Sequence, residues 1–174
     1  MMRRYFAPLS LIAFIAQPAL ADTQLSGADT GEIVSQESPG RSCVGVFWPI
    51  QSEPRLQDCF IGWARRGIRL ALPVTPPVPA PLTFAAWQPG ESMTADPMGI
   101  QTPVRRDVVK PDCLVIPCLG YGDDGLRLGY GGGYYYRTLS DFDGPTIGVA
   151  FAETYLPGLR AQARDCLLDI IVTD

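Results

Sequence analysis

The sequence contains no histidine in its 174 residues. That absence removes Ser-His-Asp and Cys-His catalysis, histidine-based zinc sites and imidazole proton shuttling. Lysine is almost missing too, since Lys110 is the only one among 14 basic residues. Charge is scarce at 18% of residues, and 14 basic against 18 acidic side chains leave a net charge of -4. Nucleic acid as a partner is therefore excluded, because coating a duplex needs a basic surface. The cysteines Cys43, Cys59, Cys113, Cys118 and Cys166 are odd in number and contain no C-x-x-C pair. Neither a zinc ribbon nor a thioredoxin-like motif is written, and they read as reduced, small core hydrophobes. No apolar run reaches the roughly 20 residues of a membrane-spanning helix, so stable membrane insertion is not expected. The chemistry left open uses carboxylates, Arg, hydroxyls, backbone amides or a bound ion.

What is present begins with Arg3 and Arg4 ahead of the apolar stretch from Leu9 to Ala16, then Pro18 and the small-x-small triplet Ala19-Leu20-Ala21. Residues 1–21 thus follow a secretory signal pattern, with cleavage after Ala21 and export of the product. An atypical N-terminal helix, or a misplaced translation start, is the rival reading. Residues 22–42 are polar and Gly-containing, a linker or a weak helix around Gly31 to Glu37. Residues 43–174 read as one α/β domain.

Within that domain Cys43 to Trp48 is a short apolar run ended by Pro49, as in a buried strand. Pro54 suits a first helical turn, Leu56, Phe60, Ile61 and Ala64 recur at helical spacing up to Gly67, and Ile68 to Val74 is a second strand. Strand, helix and strand make a βαβ unit with a parallel pair and a right-handed crossover. Thr75 to Pro81, with four prolines, is an extended loop before a strand over Leu82 to Trp87. Met93 to Arg106 reads as irregular. Cys113 to Ile116 is the best buried strand, Asp123-Asp124-Gly125 a turn, Tyr134 to Leu139 a helix, and Thr146 to Phe151 and Leu168 to Val172 two closing strands.

The sharpest local feature is Arg127-Leu128-Gly129-Tyr130-Gly131-Gly132-Gly133-Tyr134-Tyr135-Tyr136-Arg137. Adjacent glycines let backbone amides converge on one ligand, and with Arg127 they form a candidate phosphate cradle. The run is neither a Walker motif nor a dinucleotide-binding G-x-G-x-x-G, and a plain flexible loop is the competing interpretation.

This segment resembles the R-L-G-x-G-x-G-Y-Y-D signature of the 5-formyltetrahydrofolate cyclo-ligases, also called methenyltetrahydrofolate synthetases. Four other stretches resemble the same family in the same order: Val44 to Glu53, Ala71 to Val74, Gly99 to Pro103, and Ile147 to Phe151 with Asp169 to Asp174. The resemblance implies a single-domain, three-layer α/β fold with a twisted, mostly parallel sheet. It also implies a cytoplasmic enzyme that uses ATP and Mg2+ to convert 5-formyltetrahydrofolate to 5,10-methenyltetrahydrofolate. In that family ATP phosphorylates the formyl oxygen, a neighbouring nitrogen attacks the activated carbon, and phosphate leaves. No histidine is needed for this chemistry, which is largely positioning and charge neutralisation.

Carried over by position, Arg127, Gly129, Tyr130, Gly131, Gly132, Gly133, Tyr134 and Tyr135 would bind ATP. Trp48 and Glu53 would meet the folate, with core packing the alternative for Trp48 and the tyrosines and a helix N-cap role the alternative for Glu53. Asp165 matches a Mg2+ ligand. Three departures stand beside these matches: Tyr136 replaces the Asp that ends the family motif, Arg164 stands where relatives often carry His, and no K-x-x-x-R precedes Cys43. They leave two expectations, a cyclo-ligase of weakened activity and a noncatalytic nucleotide- or folate-binding relative, exported if residues 1–21 are a signal.

Overall fold

A computed structural model describes residues 7–8, 42–161 and 165–174. Its strands are β1 (Ala7–Pro8), β2 (Cys43–Gly45), β3 (Arg69–Val74), β4 (Thr83–Trp87), β5 (Met93–Ala95), β6 (Gln101–Pro103), β7 (Val108–Val109), β8 (Cys113–Pro117), β9 (Gly120–Tyr121), β10 (Arg127–Leu128), β11 (Thr146–Ala150) and β12 (Ile170–Thr173). Among the described residues the α-helices are α1 (Gln57–Arg65) and α2 (Tyr134–Leu139). The main sheet has the order β1-β12-β11-β8-β2-β3-β4-β7. Its strands from β1 to β3 run parallel, while β4 is antiparallel to both β3 and β7. The expected single α/β domain with a mostly parallel sheet is what forms. Apart from Ala7–Pro8, the signal-like segment and the residue 22–41 linker lie outside the described residues, as does Arg164.

Parallel strands covered on both faces need apolar side chains on both, and the short β-branched runs supply them. Along β8, Val115 joins a cluster with Val44, Leu72, Val149 and Phe60 and Trp63 of α1. Leu114 and Ile116 point to the other face, where they join Ala71, Phe84 and Leu168, with Tyr135 and Leu139 of α2 packed on them. Each large side chain buried this way contributes about 1.5–3 kcal/mol. Gly45 lets the sheet pack closely, since a Cβ there would lie 2.5 Å from Leu114 Cδ2 and 3.0 Å from Phe84 Cε1.

Several expectations shift. The first strand ends at Gly45 rather than Trp48, and α1 starts at Gln57 with Leu56 as its N-cap, so Glu53 is not the cap. The last strand starts at Ile170, because the Leu168 amide is committed to the Gly125 carbonyl at 2.9 Å. The stretch from Met93 to Arg106 is not irregular: β5 and β6 pair antiparallel, with Thr94 opposite Thr102. Of the cysteines, all free, Cys43 and Cys118 are buried, Cys113 and Cys166 are half-buried, and Cys59 is exposed on α1. Among the described residues no helix is long and apolar enough to cross a membrane.

Candidate functional site

Open parallel sheets gather ligands at the carboxyl ends of their strands, and the charged residues of the sequence motifs converge there. Beyond β2, the Val46 amide still donates to Ala71 of β3 at 2.8 Å. The chain then turns sharply through Gln51, whose φ of 46° lies in the left-handed region. That turn closes on Glu53: its amide donates to the Ile50 carbonyl, and its Oε2 accepts the Ile50 amide, both at 3.0 Å. Glu53 is only 8% exposed. Burial raises its pKa above the ordinary carboxylate value, opposed by the Ile50 amide and by the positive charge of Arg127.

Arg127 enters from β10. Its Nε donates to the Pro117 carbonyl at the end of β8 at 2.8 Å, and its guanidinium carbon lies 4.8 Å from the centre of the Tyr135 ring. Gly129 is tailored to it, because a Cβ there would sit 2.7 Å from Arg127 Nη2. A flat, always-charged guanidinium held by a carbonyl and an aromatic face keeps its outer N–H groups aimed in one direction, which suits phosphate or carboxylate recognition. Gly131 and Gly133 have φ of 82° and 70°, so the loop bends in a way open mainly to glycine. The loop is tied at both ends: Tyr130 OH donates to the Ile50 carbonyl at 3.4 Å, and Arg137 Nη1 donates to the Gly132 carbonyl at 3.2 Å. Behind it, Thr138 Oγ1 accepts the Leu82 amide at 2.8 Å and donates to the Tyr134 carbonyl at 2.9 Å, pinning α2 to the strand β4 side.

Glu53, Arg127, Tyr130, Tyr135 and the glycines therefore lie together as one candidate site. Burial pushes the Tyr135 phenol well up, with Arg127 as the largest opposing influence. Cys118, which the sequence offers only as a core hydrophobe, adjoins the same cluster: burial raises its thiol to about 11 against the pull of Arg127, so it is not a thiolate near neutrality. Trp48 is half-buried and turns edge-on to Trp87, ring centres 6.2 Å apart, and it packs against the first core cluster. Tyr134 and Tyr135 likewise pack in part against the second core cluster.

The expected metal pair is a different matter. Tyr136 is 40% exposed, and its carbonyl is 3.9 Å from Cys166 Sγ, beside Asp165 in the chain. The fold thus brings the Tyr136 backbone near the residue that follows Asp165; the side chains at positions 136 and 165 are one phenol and one carboxylate. Among the described residues no three of His, Cys, Asp and Glu cluster to hold a metal ion. Such a donor set does not enclose Mg2+ by itself; an ion that keeps waters and takes one carboxylate plus phosphate oxygens is the arrangement it could serve. A groove of about 390 Å3 lies at the amino end of β11 between Phe142, Thr146, Cys166 and Asp169; it includes the Cys166 that touches Tyr136 but shares no residue with the cluster of Glu53, Arg127, Tyr130, Tyr135 and the glycines.

Residues 29–174 match the model of the 5-formyltetrahydrofolate cyclo-ligase family. A 5-formyltetrahydrofolate cyclo-ligase of Escherichia coli K12 is 33% identical over 139 residues, 75% of this chain and 76% of the relative. One from Mycolicibacterium smegmatis is 26% identical over 141 residues, covering 75% of this chain and 72% of its own length. Among solved structures, the 5,10-methenyltetrahydrofolate synthetase of Aquifex aeolicus superposes with a TM-score of 0.64 at 28% identity, over 76% of this chain and 68% of that one. That of Mycoplasma pneumoniae gives 0.59 at 24% identity over 78% and 76%, a likeness of fold.

Proposed function

The chain belongs to the 5-formyltetrahydrofolate cyclo-ligase family, and from that premise we propose that it closes 5-formyltetrahydrofolate to 5,10-methenyltetrahydrofolate with consumption of ATP. The observation that carries the proposal is the meeting of Glu53, Arg127 and the glycine loop at the carboxyl ends of β2 and β8. ATP would supply the phosphoryl group that makes the formyl oxygen a leaving group. Arg127 and the amides of Gly129, Gly131, Gly132 and Gly133 hold the phosphates, and Tyr130, Tyr134 and Tyr135 wall them from water.

Glu53, under a turn of its own backbone, faces the folate beside Trp48. Its raised pKa equips it to share or hold a proton on a ring nitrogen, while Arg127 keeps the carboxylate form available. Asp165 is the carboxylate that would be offered to a Mg2+ ion arriving with phosphate, and the ion would supply charge neutralisation there. The test is the appearance of methenyltetrahydrofolate absorbance from purified protein with 5-formyltetrahydrofolate, ATP and Mg2+. No product at high protein concentration overturns the catalytic reading.

One observation favours a second reading. Tyr136 puts a phenol where the family motif ends in a carboxylate, which removes a hard anionic oxygen of the kind Mg2+ prefers, and so a noncatalytic nucleotide- or folate-binding relative is the alternative. Calorimetric binding of ATP or folate without turnover selects it.

A further inference from the structure

Arg137 belongs to α2 and has been given no ligand so far, yet its side chain folds back onto the glycine loop instead of leaving it. Its Nη1 donates to the Gly132 carbonyl at 3.2 Å, and a Cβ on Gly133 would collide with that same nitrogen. At the other end of the loop a Cβ on Gly129 would lie 2.7 Å from Arg127 Nη2. The first and the last glycine of the loop thus each leave the space of a side chain to a guanidinium. Between them the run is Tyr130-Gly131-Gly132, so two permanent positive charges flank a stretch that is mostly bare backbone. Among the described residues neither Arg127 nor Arg137 forms an ion pair with a carboxylate, unlike Arg105, which pairs with Asp107 at 2.7 Å. Glu53 feels the charge of Arg127 without pairing with it. Two arginines drawn to one loop repel each other, and an anion held between them relieves that repulsion.

We propose that Arg137 is a second phosphate-binding residue, which with Arg127 grips the phosphate chain of a nucleoside triphosphate laid along the glycine loop. The inference rests on the nucleotide reading above and adds a residue to it. Arg127 commits Nε to the Pro117 carbonyl, and Arg137 commits one N–H of Nη1 to Gly132. A guanidinium carries several N–H donors in one planar fork, so each arginine keeps donors for phosphate oxygens while the carbonyl fixes its direction. Arg137 is half-buried and its bond to Gly132 is exposed to solvent, so a ligand can reach it. The glycine backbone between the two arginines suits a chain of phosphates, which can accept from both while meeting no side chain at Gly131 or Gly132. A role confined to tying the Gly132 carbonyl is the competing account of the same contact.

Arg137→Gln removes the charge but keeps an amide that can donate to Gly132, and Arg137→Lys keeps the charge without the fork. Both are compared with the parent chain by calorimetric titration with ATP at low and at high salt, Mg2+ present throughout, by titration with 5-formyltetrahydrofolate, and by circular dichroism. R137Q should bind ATP about tenfold more weakly and lose part of the salt dependence of that binding, because one charge fewer is screened. R137K should keep the salt dependence and fall between the parent and R137Q in affinity. Folate binding and the circular dichroism spectrum should stay those of the parent in both. ATP affinity in R137Q within about twofold of the parent's overturns the proposal. So does weaker ATP binding with the parent's full salt dependence, which assigns Arg137 to the shape of the loop alone, and so does an R137K whose salt dependence is that of R137Q. Equal loss of ATP and folate binding also overturns it. A parent chain that binds no ATP removes the nucleotide reading and this inference with it, whereas ATP binding that ignores Arg137 removes this inference alone.

Discussion

Asp112 and Asp169 at the amino end of the sheet and Glu53 at its carboxyl end use their carboxylates in opposite ways. At the amino end, Asp112 accepts the Cys43 amide at 2.8 Å while its own amide donates to the Cys43 carbonyl at 2.8 Å. Asp169 accepts both the amide and the hydroxyl of Thr146 at 2.8 Å, and its own amide donates back to that hydroxyl at 3.0 Å. These acids close strand entrances, and their oxygens are occupied locally. At the carboxyl end Glu53 accepts one amide of its own turn, and Arg127 gives its Nε to Pro117 with the rest of the guanidinium over Tyr135. Charge there is positioned but not consumed. The groove between Phe142, Thr146, Cys166 and Asp169 belongs to the amino end, yet Glu53 and Arg127 meet at the other, so a concavity does not by itself mark where the charged motif residues converge.

The contrast breaks most visibly at Arg127. Replacement by Met should lower kcat/KM for the ATP-dependent reaction by about 10²–10³, the usual consequence of losing one preorganised charge at a phosphate, while circular dichroism stays that of the parent. Arg127→Lys should recover little, because a point charge cannot satisfy Pro117 and a phosphate in one planar fork. An R127M variant within threefold of the parent, on the order of 0.7 kcal/mol, would place the site elsewhere.

Glu53→Gln sharpens the same contrast by separating binding from stability. Folate affinity should fall about tenfold or more as a charge-assisted contact is lost. Stability should not fall, because Glu53 has its pKa raised by folding. The sign follows directly: between its unfolded and folded pKa values the native state binds more protons, so its ionisation costs stability as pH rises through that window and costs none below the unfolded value. Urea titrations of E53Q should thus show a flatter decline of stability from acid towards neutral pH. At the amino end Asp169→Ala should do the reverse. It strands the amide and hydroxyl of Thr146, costing about 1–3 kcal/mol in urea unfolding, with turnover per folded molecule unchanged.

How much of this could be read from residues alone follows the physics of each element. Strands β3, β8 and β11 are long apolar runs buried on two faces, so composition announces them. The helix α2 begins at Tyr134 as expected, since Gly133 cannot favour helix while Tyr-Tyr-Tyr-Arg-Thr-Leu can. Strands β5 and β6 are three residues each, carry Pro97 between them and Pro103 at the end, and owe their order to Asp96, which accepts the Met98 and Ile100 amides, and to packing of β6 on β3 and β4. No period of two can emerge from three residues. At the site, Arg127 and the glycines were identifiable because their chemistry is local. Glu53 was identifiable as an acid but not as the closure of its own turn, which depends on the left-handed backbone at Gln51. The burial of Thr102 was not legible either, as it comes from packing of β6 on strands distant in the chain.

The smallest effect probes both ends through a single strand. Cys113 opens β8 and Cys118 immediately follows it, and both thiols are raised to about 11, but by different company. For Cys113 burial is joined by Asp169 and then Asp112, both pushing upward; for Cys118 burial is opposed by Arg127. At neutral pH neither should react at the rate of exposed Cys59 with a small thiol reagent, as mass spectrometry of partly labelled protein can count. Asp169→Asn should lower the Cys113 pKa and bring its labelling to lower pH, whereas Arg127→Met should raise that of Cys118 and delay it further. Opposite movements in the two variants would show that charge is set against the sheet in opposite senses at its two ends. Parallel movements would mean that opening of the fold, common to both thiols, controls their reactivity instead.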